Sequence, residues 1–237
     1  MHPSSDTLLT TNRIDERTIQ KASDSCAARF GHSSRLHLAF AIPGVLLKPE
    51  KHPRDINAES ALETFKVNTI GPLLLLKHFG KFLPAQRSSS NPRDDVWDPG
   101  RVHDWDSTGD VYKGVNKELV IWACMSARVG SISNNHLGGW YSYRASKAAV
   151  NQLVKTYDNF LKVQAGDRAM AVGLHPGTVK TDLSRDFWNT TKPEKLFHPK
   201  WVAERLVGML TIGVKGKRID ITGRGKCWDW DGKEIPP

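Results

Sequence analysis

The chain has 237 residues, of which 39% are hydrophobic and 25% are charged, and 34 basic against 25 acidic side chains give a formal charge of +9. This composition predicts a globular protein of one or two domains and excludes a chain that is disordered throughout. No apolar run approaches the roughly 20 residues that cross a bilayer, so no membrane partner is expected.

Helical and strand patterns alternate along the chain. In order, the apolar spacing predicts a helix over 15–30, a strand over 36–42, a helix over 58–82 that Pro72 bends, a strand over 119–125, a helix over 140–163, a strand over 169–174, a helix over 201–212 and a final strand region over 219–228. Continuous apolar strands that alternate with helices are typical of a parallel sheet covered on both faces. The predicted fold class is therefore α/β, with a doubly wound parallel sheet in a single domain over 1–237.

The stretch 86–117 interrupts this alternation. It is largely polar and rich in Asp, Ser, Pro and Gly. Connections of this length are uncommon inside compact domains. We therefore expect an irregular insertion at about 86–117.

Charge and cysteine usage narrow the choice of partners and location. The basic residues are scattered without aromatic residues between them, which predicts a basic surface, or a phosphate-bearing cofactor as a second explanation, and no nucleic-acid partner. Cys26, Cys124 and Cys227 are far apart and form no CxxC pattern, so no metal site is expected. The first residues contain no apolar segment of the secretory type. We expect a reducing, cytoplasmic location.

The stretch 143–147 reads Tyr-Arg-Ala-Ser-Lys within the predicted helix over 140–163. Residues four apart lie on one helix face, so the Tyr143 phenol and the Lys147 ammonium can approach each other. A nearby cation is expected to lower the pKa of the phenol from about 10, which makes it a better acid–base catalyst near neutral pH. Taken alone, such a pair also arises by chance on a solvated helix face.

Ser131 lies twelve residues before Tyr143, just past the predicted strand over 119–125. Loops at the carboxyl ends of parallel strands are where α/β sheets place their active sites. A hydroxyl there can donate a hydrogen bond to the oxygen of a bound carbonyl compound. Ser126 and Ser133 are alternatives, and each of the three serines also fits an ordinary turn.

Several runs resemble the short-chain dehydrogenase/reductase family, and most closely its C-factor and sniffer-like carbonyl-reductase branch. The runs 126–133 and 138–152 resemble the active-site segment. The segments 67–73, 175–182 and 228–236 resemble the Asn-bearing helix, the loop over the nicotinamide and the C-terminus of that branch. The resemblance runs from about residue 12 to the end, outside the stretch 86–117.

The resemblance implies hydride transfer from the nicotinamide of NADPH or NADH to a carbonyl carbon, or the reverse from a secondary alcohol. Tyr143 would give the proton to the carbonyl oxygen, and Ser131 would polarise that oxygen. Lys147 would tune Tyr143 and, together with it, contact the cofactor at the nicotinamide ribose. Asn68 would position a water in a proton relay behind Lys147, or alternatively bridge the helix bend near Pro72.

The loop after the predicted strand over 169–174 would complete the cofactor site. By the same resemblance, Pro176, Gly177, Val179 and Thr181 would line the nicotinamide, with Thr181 at its carboxamide. The cofactor is thus expected to be NADP or NAD.

The chain departs from the family at the phosphate end of the cofactor. Family members begin with a strand, a GxxxGxG turn and a helix, and no such motif occurs in this sequence. The resemblance therefore implies a Rossmann-like sheet that lacks its first two strands. The family's Asn-Ala-Gly turn is replaced by Ile42-Pro43-Gly44, and Pro43 has no backbone N–H to donate. We hypothesise an N-terminally truncated chain rather than a degenerate relative, because the catalytic half is intact.

Two hypotheses for the function follow. The first is an NAD(P)-dependent oxidoreductase that acts on a small-molecule carbonyl compound or alcohol, as a homodimer or homotetramer that pairs the helices 58–82 and 140–163. The second is a catalytically silent family member that serves as a binding or regulatory protein. The absent phosphate loop and the stretch 86–117 favour the second hypothesis.

Overall fold

The structure, a computed structural model, describes residues 15–31, 35–84, 115–116, 118–214 and 216–237. Of the predicted insertion at 86–117, only residues 115 and 116 are among the described residues. The N-terminal stretch on which the predicted loss of two strands depends also lies outside them.

Helices and short strands alternate through the described ranges. The helices are α1 (Glu16–Phe30), α2 (Ala58–Phe65), a π-helical segment (Lys66–Ile70), α3 (Gly71–Phe79), α4 (Tyr141–Ala165) and α5 (Pro199–Leu210). The strands are β1 (Leu38–Ala41), β2 (Val120–Met125), β3 (Ala169–His175), β4 (Thr178–Val179), β5 (Leu196–Phe197), β6 (Cys227–Asp229) and β7 (Glu234–Ile235). None of the described helices is long and apolar enough to cross a membrane.

The main sheet has five strands in the order β1-β2-β3-β6-β7. The first four are mutually parallel and β7 is antiparallel to β6. The predicted α/β class with a doubly wound, mostly parallel sheet is confirmed, and the short antiparallel strand β7 is an addition that the sequence did not predict. Only a tight turn separates β6 from β7, and a parallel return needs a crossover of a dozen or more residues.

The two faces of β2 build two separate cores. Its alternate residues Val120, Trp122 and Cys124 are buried in a cluster that also contains α4 residues and has α3 side chains packed against it. Ile121 and Ala123 point the other way and pack with buried residues of α5. This alternation is the period-two pattern of a strand, and it produces the predicted cover of helices on both faces.

The predicted bend near Pro72 takes the form of a π-helical turn. Lys66–Ile70 is π-helical, and the Gly71 N–H donates to the Lys66 carbonyl five residues back. Pro72 lacks the N–H that would bond the carbonyl four residues earlier, at Asn68, so the preceding turn is free to widen. The irregularity therefore lies one turn before the proline and includes Asn68.

A buried ion pair joins the far end of α4 to the segment before β6. Arg224 Nε donates to both carboxylate oxygens of Asp158, at 3.1 and 3.0 Å. The same guanidinium also donates to the carbonyl oxygens of Gly166 and Ala169, and the Ala171 N–H donates to Asp158. These bonds fix the end of α4 against the beginning of β3.

Candidate active site

A carboxylate from a distant loop holds the first turn of α4. The Trp140 N–H donates to the Glu50 carbonyl oxygen at 2.6 Å. The Ser142 N–H and hydroxyl both donate to Glu50 Oε1. Because these bonds satisfy N–H groups that have no partner within the helix, they fix where α4 begins and hence where its residues project.

Lys147 lies buried between α4 and the carboxyl end of β2. Its side chain is 2% exposed and its Nζ donates to the Met125 carbonyl oxygen at 2.9 Å. A Cβ added at Gly130 would lie 2.6 Å from the Lys147 carbonyl carbon, so the turn Arg128–Gly130 packs directly on α4. An ammonium has three hydrogens to donate. Within the described part of the chain only one of them has an acceptor.

Burial shifts the pKa values of the predicted pair in opposite directions. It raises the pKa of Tyr143 to about 12 and lowers the pKa of Lys147 to about 8. The expectation that Lys147 lowers the pKa of Tyr143 is therefore wrong. The ammonium lies 5.7 Å from the centre of the Tyr143 ring and is bonded to the Met125 carbonyl, so the loss of hydration decides the shift.

Asn68 ties three segments together around Lys147. Its Oδ1 accepts from the Val45 N–H at 2.7 Å, and its Nδ2 donates to the Val45 carbonyl oxygen and to Ser146 Oγ, both at 3.0 Å. A Cβ added at Gly44 would lie 3.4 Å from Lys147 Nζ and 3.7 Å from Asn68 Oδ1. The side chain thus joins the loop after β1 to α4.

The three candidate serines have different surroundings. Ser131 is 1% exposed, accepts from the Asn134 N–H and donates to the Pro237 carbonyl oxygen at 3.4 Å. Ser133 donates to that same oxygen through its N–H and its hydroxyl. Ser126 donates to Asn151 Oδ1 at 2.5 Å. Ser131 and Ser133 therefore share one acceptor, and Ser131 follows directly on the turn that packs against Lys147.

The predicted cofactor loop leaves β3 through a turn that requires glycine. Gly177 has φ +76°, and a Cβ there would lie 2.6 Å from the Phe197 ring and 2.9 Å from the Trp230 ring. Pro176 and Val179 are half-buried, whereas Thr181 is exposed and its N–H donates to the Val179 carbonyl oxygen. The loop is thus held by aromatic side chains.

A second polar group lies at the carboxyl ends of β3 and β6. Arg128 donates to the buried Asp229 carboxylate at 2.6 Å. Burial lowers the pKa of the neighbouring His175 to about 4, with the positive charge of Arg128 as a further cause, so this imidazole is neutral at pH 7. Over the described residues, no group of three or more His, Cys, Asp or Glu side chains could hold a metal ion.

Sequence reasoning missed Glu50 and the aromatic residues around Tyr143. The Glu50–Ser142 contact joins residues 92 positions apart, and no local pattern marks it. Trp140 contacts Tyr143 and Phe187 through its ring. The pair Gly138-Gly139 ahead of Trp140 was the available signal, because such pairs often mark an unusual backbone.

Together these features define a doubly wound α/β protein with a polar site at the carboxyl ends of its parallel strands, where folds of this class bind ligands. No family model matches the chain. It is 44% identical over 171 residues to 1-hydroxy-2-glutathionyl-2-methyl-3-butene dehydrogenase of Rhodococcus sp. (strain AD45), a match that covers 72% of this chain and 59% of that protein. It is 32% identical over 114 residues to C-signal of Myxococcus xanthus, which covers 48% of this chain and 59% of that protein.

Solved structures show the same fold. NADPH-bound carbonyl reductase from chicken fatty liver superimposes with a TM-score of 0.68 at 22% identity, over 94% of this chain and 74% of that one. Carbonyl reductase Sniffer of D. melanogaster gives 0.67 at 23% identity, over 94% and 76%. The homologues and structural neighbours of this chain are members of the short-chain dehydrogenase/reductase family, and the chain shares their fold. It spans about three fifths of the length of the curated relatives that it matches.

Proposed function

We propose that the protein is an NAD(P)-dependent oxidoreductase that reduces a carbonyl group, or oxidises a secondary alcohol, by hydride transfer. The observation that carries this proposal is the buried Lys147 ammonium on the same face of α4 as Tyr143, with hydrogens left to donate. The chain is 44% identical over 171 residues to a dehydrogenase, and this similarity supports the same reaction class.

The residues around Lys147 fit the nicotinamide end of such a cofactor. Ribose hydroxyls are acceptors for the ammonium hydrogens that have no partner among the described residues. We propose that Pro176, Gly177, Val179 and Thr181 line the nicotinamide, with Thr181 at its carboxamide. The cofactor, when bound, supplies or takes up the hydride.

The phosphate end has no comparable partner in the described part of the chain. After β1 the backbone enters Ile42-Pro43-Gly44, and Pro43 offers no N–H to a phosphate. We propose that the phosphate cradle belongs to a segment before Met1 in the natural protein, in keeping with the partial coverage of the relatives. Translation of the DNA upstream of Met1 tests this. A GxxxGxG motif in frame supports it, and stop codons in every frame contradict it.

Proton transfer would fall to Tyr143. With a pKa of about 12 its phenol is protonated at pH 7, which is the form that donates a proton to a carbonyl oxygen. Lys147, with a pKa of about 8, remains mostly an ammonium at that pH. We assign Ser131 to the carbonyl oxygen, as a donor that becomes available when Pro237 releases it. Asn68 holds the loop and helix around Lys147 and is proposed to position a water there.

Fluorescence titration of the purified protein with NADPH tests the proposal. Saturable binding, followed by reduction of a small ketone, supports an enzyme. Tyr143→Phe is expected to lower kcat/KM about 1000-fold, since general acid catalysis contributes roughly 100- to 10000-fold. Because the phosphate cradle is proposed to lie before Met1, the same titration is repeated on the chain extended by that segment. The alternative of a catalytically silent binding protein is supported if the extended chain shows no response at millimolar NADPH.

We propose a homodimer as the working assembly, and the cytoplasm as its location. Leu62, Ile70 and Leu73 are exposed on the α2–α3 face, and Phe160 and Val163 are exposed on α4. Helices with such apolar residues commonly bury them against a partner. The location rests on three free cysteines, which a reducing compartment preserves.

A further inference from the structure

Trp140 has a backbone conformation that a residue with a side chain seldom adopts. Its φ and ψ are 54° and 43°, the left-handed region, and it is the sole non-glycine residue with positive φ in the described ranges. Such conformations persist where the surroundings fix them, and they concentrate at functional sites. This conformation occurs at the residue directly before α4, three positions before Tyr143, and therefore requires an explanation.

Two sets of hydrogen bonds hold Trp140 in this conformation. Its N–H donates to the Glu50 carbonyl oxygen. Arg144 Nε donates to the carbonyl oxygens of Gly138 and Gly139, at 3.2 and 3.0 Å. These bonds fix the backbone that precedes Trp140. On the other side the Arg144 N–H donates to the Trp140 carbonyl oxygen at 2.8 Å, and the direction of the indole ring follows from both.

The indole ring joins the proposed acid to the segment after the cofactor loop. The centre of the ring is 6.2 Å from that of Tyr143, edge to face at 70°. On the other side it is 4.9 Å from the Phe187 ring, tilted by 42°. Phe187 ends the turn Asp182–Phe187, which follows Thr181 directly. Both Trp140 and Phe187 are half-buried, so each ring retains an accessible surface.

We propose that Trp140 and Phe187 form an aromatic wall beside the Tyr143 phenol, and that this wall selects substrates whose carbonyl carbon carries an aryl group. Flat aromatic groups gain from offset or edge-to-face contact with aromatic side chains, beyond the area that they bury. The inference rests on the proposed function, because it assigns the specificity of that same site.

The matched variants distinguish the effect of losing the indole ring from the effect of disturbing the backbone at Trp140. Trp140→Asn removes the ring with a residue that tolerates the left-handed conformation and can cap α4. Phe187→Leu keeps apolar volume without a ring, and Trp140→Phe keeps a ring. Phe30→Leu removes an exposed aromatic ring on α1, outside the proposed dimer face, and serves as the control.

The kinetic measurement compares acetophenone with 2-butanone. We expect wild type to favour acetophenone in kcat/KM, and Trp140→Asn and Phe187→Leu each to lower that preference about fivefold, the size of one aromatic contact. Trp140→Phe and the control should retain it. A preference that is unchanged in both wall variants, while thermal unfolding shows them to be folded, overturns the proposal.

A binding measurement without cofactor separates this proposal from the proposed function. Saturation-transfer NMR should show transfer to the phenyl protons of acetophenone in wild type and in the control, and a severalfold weaker transfer in Trp140→Asn. If wild type reduces neither ketone but this difference is observed, the wall stands and the proposed function fails. Equal transfer in wild type and Trp140→Asn overturns the wall, whatever the catalytic result.

Discussion

At the scale of single residues, the candidate site pairs two groups whose charged forms are both disfavoured by burial. The pKa of Lys147 is lowered to about 8 by burial, although the negative charge that Cys124 and Cys227 can carry acts in the other direction. The pKa of Tyr143 is raised to about 12. Between these two values both side chains are uncharged. The Tyr143 phenol is therefore in the protonated form that can donate, but with this pKa it is a weaker acid than a free phenol. The buried Lys147 ammonium is stabilised by any ligand that supplies hydrogen-bond acceptors.

The shift of Lys147 predicts a pH dependence of stability. Between about pH 8 and its ordinary pKa near 10.5, the unfolded chain binds the Lys147 proton and the folded chain does not, so stability rises with pH. From pH 8 to pH 9 the gain is about 1 kcal/mol. Urea unfolding of wild type and Lys147→Met at both pH values measures it, with the rise expected in wild type alone.

Two buried thiols titrate in the opposite sense over an overlapping pH range. Burial raises the pKa of Cys124 to about 11 and that of Cys227 to about 12. Their contribution to stability is complete below their ordinary pKa of about 9 and is lost above it. Since both proteins contain these thiols, the difference between wild type and variant isolates Lys147. Equal slopes in the two proteins between pH 8 and 9 would contradict the shift.

A second prediction at this scale distinguishes the serines. Ser131→Ala is expected to lower kcat/KM about 100-fold, because one donor to a developing oxyanion contributes roughly that much. Ser126→Ala should have little effect, since that hydroxyl is engaged by Asn151. Ketone reduction by the three alanine variants measures this. A large loss confined to Ser133→Ala would transfer the assignment to Ser133, which shares the Pro237 acceptor.

Part of the site could be predicted from sequence and part could not. The common face of Tyr143 and Lys147 follows from their spacing in a helix. The direction of the Tyr143 pKa shift could not be predicted from the sequence. Tertiary packing decides how deeply Tyr143 is buried, and it also places the Met125 carbonyl oxygen that binds the Lys147 ammonium. Glu50 carries no local pattern, since its role arises from a contact across 92 positions.

At the scale of elements, the junction of α4, β3 and the segment before β6 depends on one ion pair. Asp158 is 2% exposed and the Arg224 side chain 14% exposed. Asp158→Asn should lower the free energy of unfolding by about 3 kcal/mol, because one charge of a buried pair loses its partner. The exposed pair of Asp24 and Lys81 is the control. Asp24→Asn should cost less than about 1 kcal/mol. Similar losses in the two variants by urea unfolding would contradict a special role for the buried pair.

The bounds of helices and strands could be predicted from the sequence where the apolar pattern extends over many residues. The helix predicted over 140–163 is observed as Tyr141–Ala165, and the strand predicted over 169–174 as Ala169–His175. The final region predicted over 219–228 is instead a 3₁₀ turn, Ile221–Gly223, followed by the three-residue strand β6. Strands as short as β6 and β7 have too few residues to show a period, and hydrogen bonds to their neighbours define them.

At the scale of the whole molecule, the proposed dimer gives a direct test. Leu62→Glu combined with Phe160→Glu places charges on both exposed faces, so the molar mass from light scattering is expected to halve. Leu137→Glu, at another strongly exposed leucine, should leave the mass unchanged. A wild-type protein with the mass of a single chain would contradict the dimer.

The position of Pro237 affects how the protein should be prepared. Its carbonyl oxygen accepts hydrogen bonds from Ser131 and from both donors of Ser133. A purification tag fused after this residue would begin next to the Ser131 and Ser133 side chains. Such a fusion would alter the same contacts that the alanine variants are meant to probe. Each alanine variant should therefore be compared with a wild-type protein that carries the same residues after Pro237.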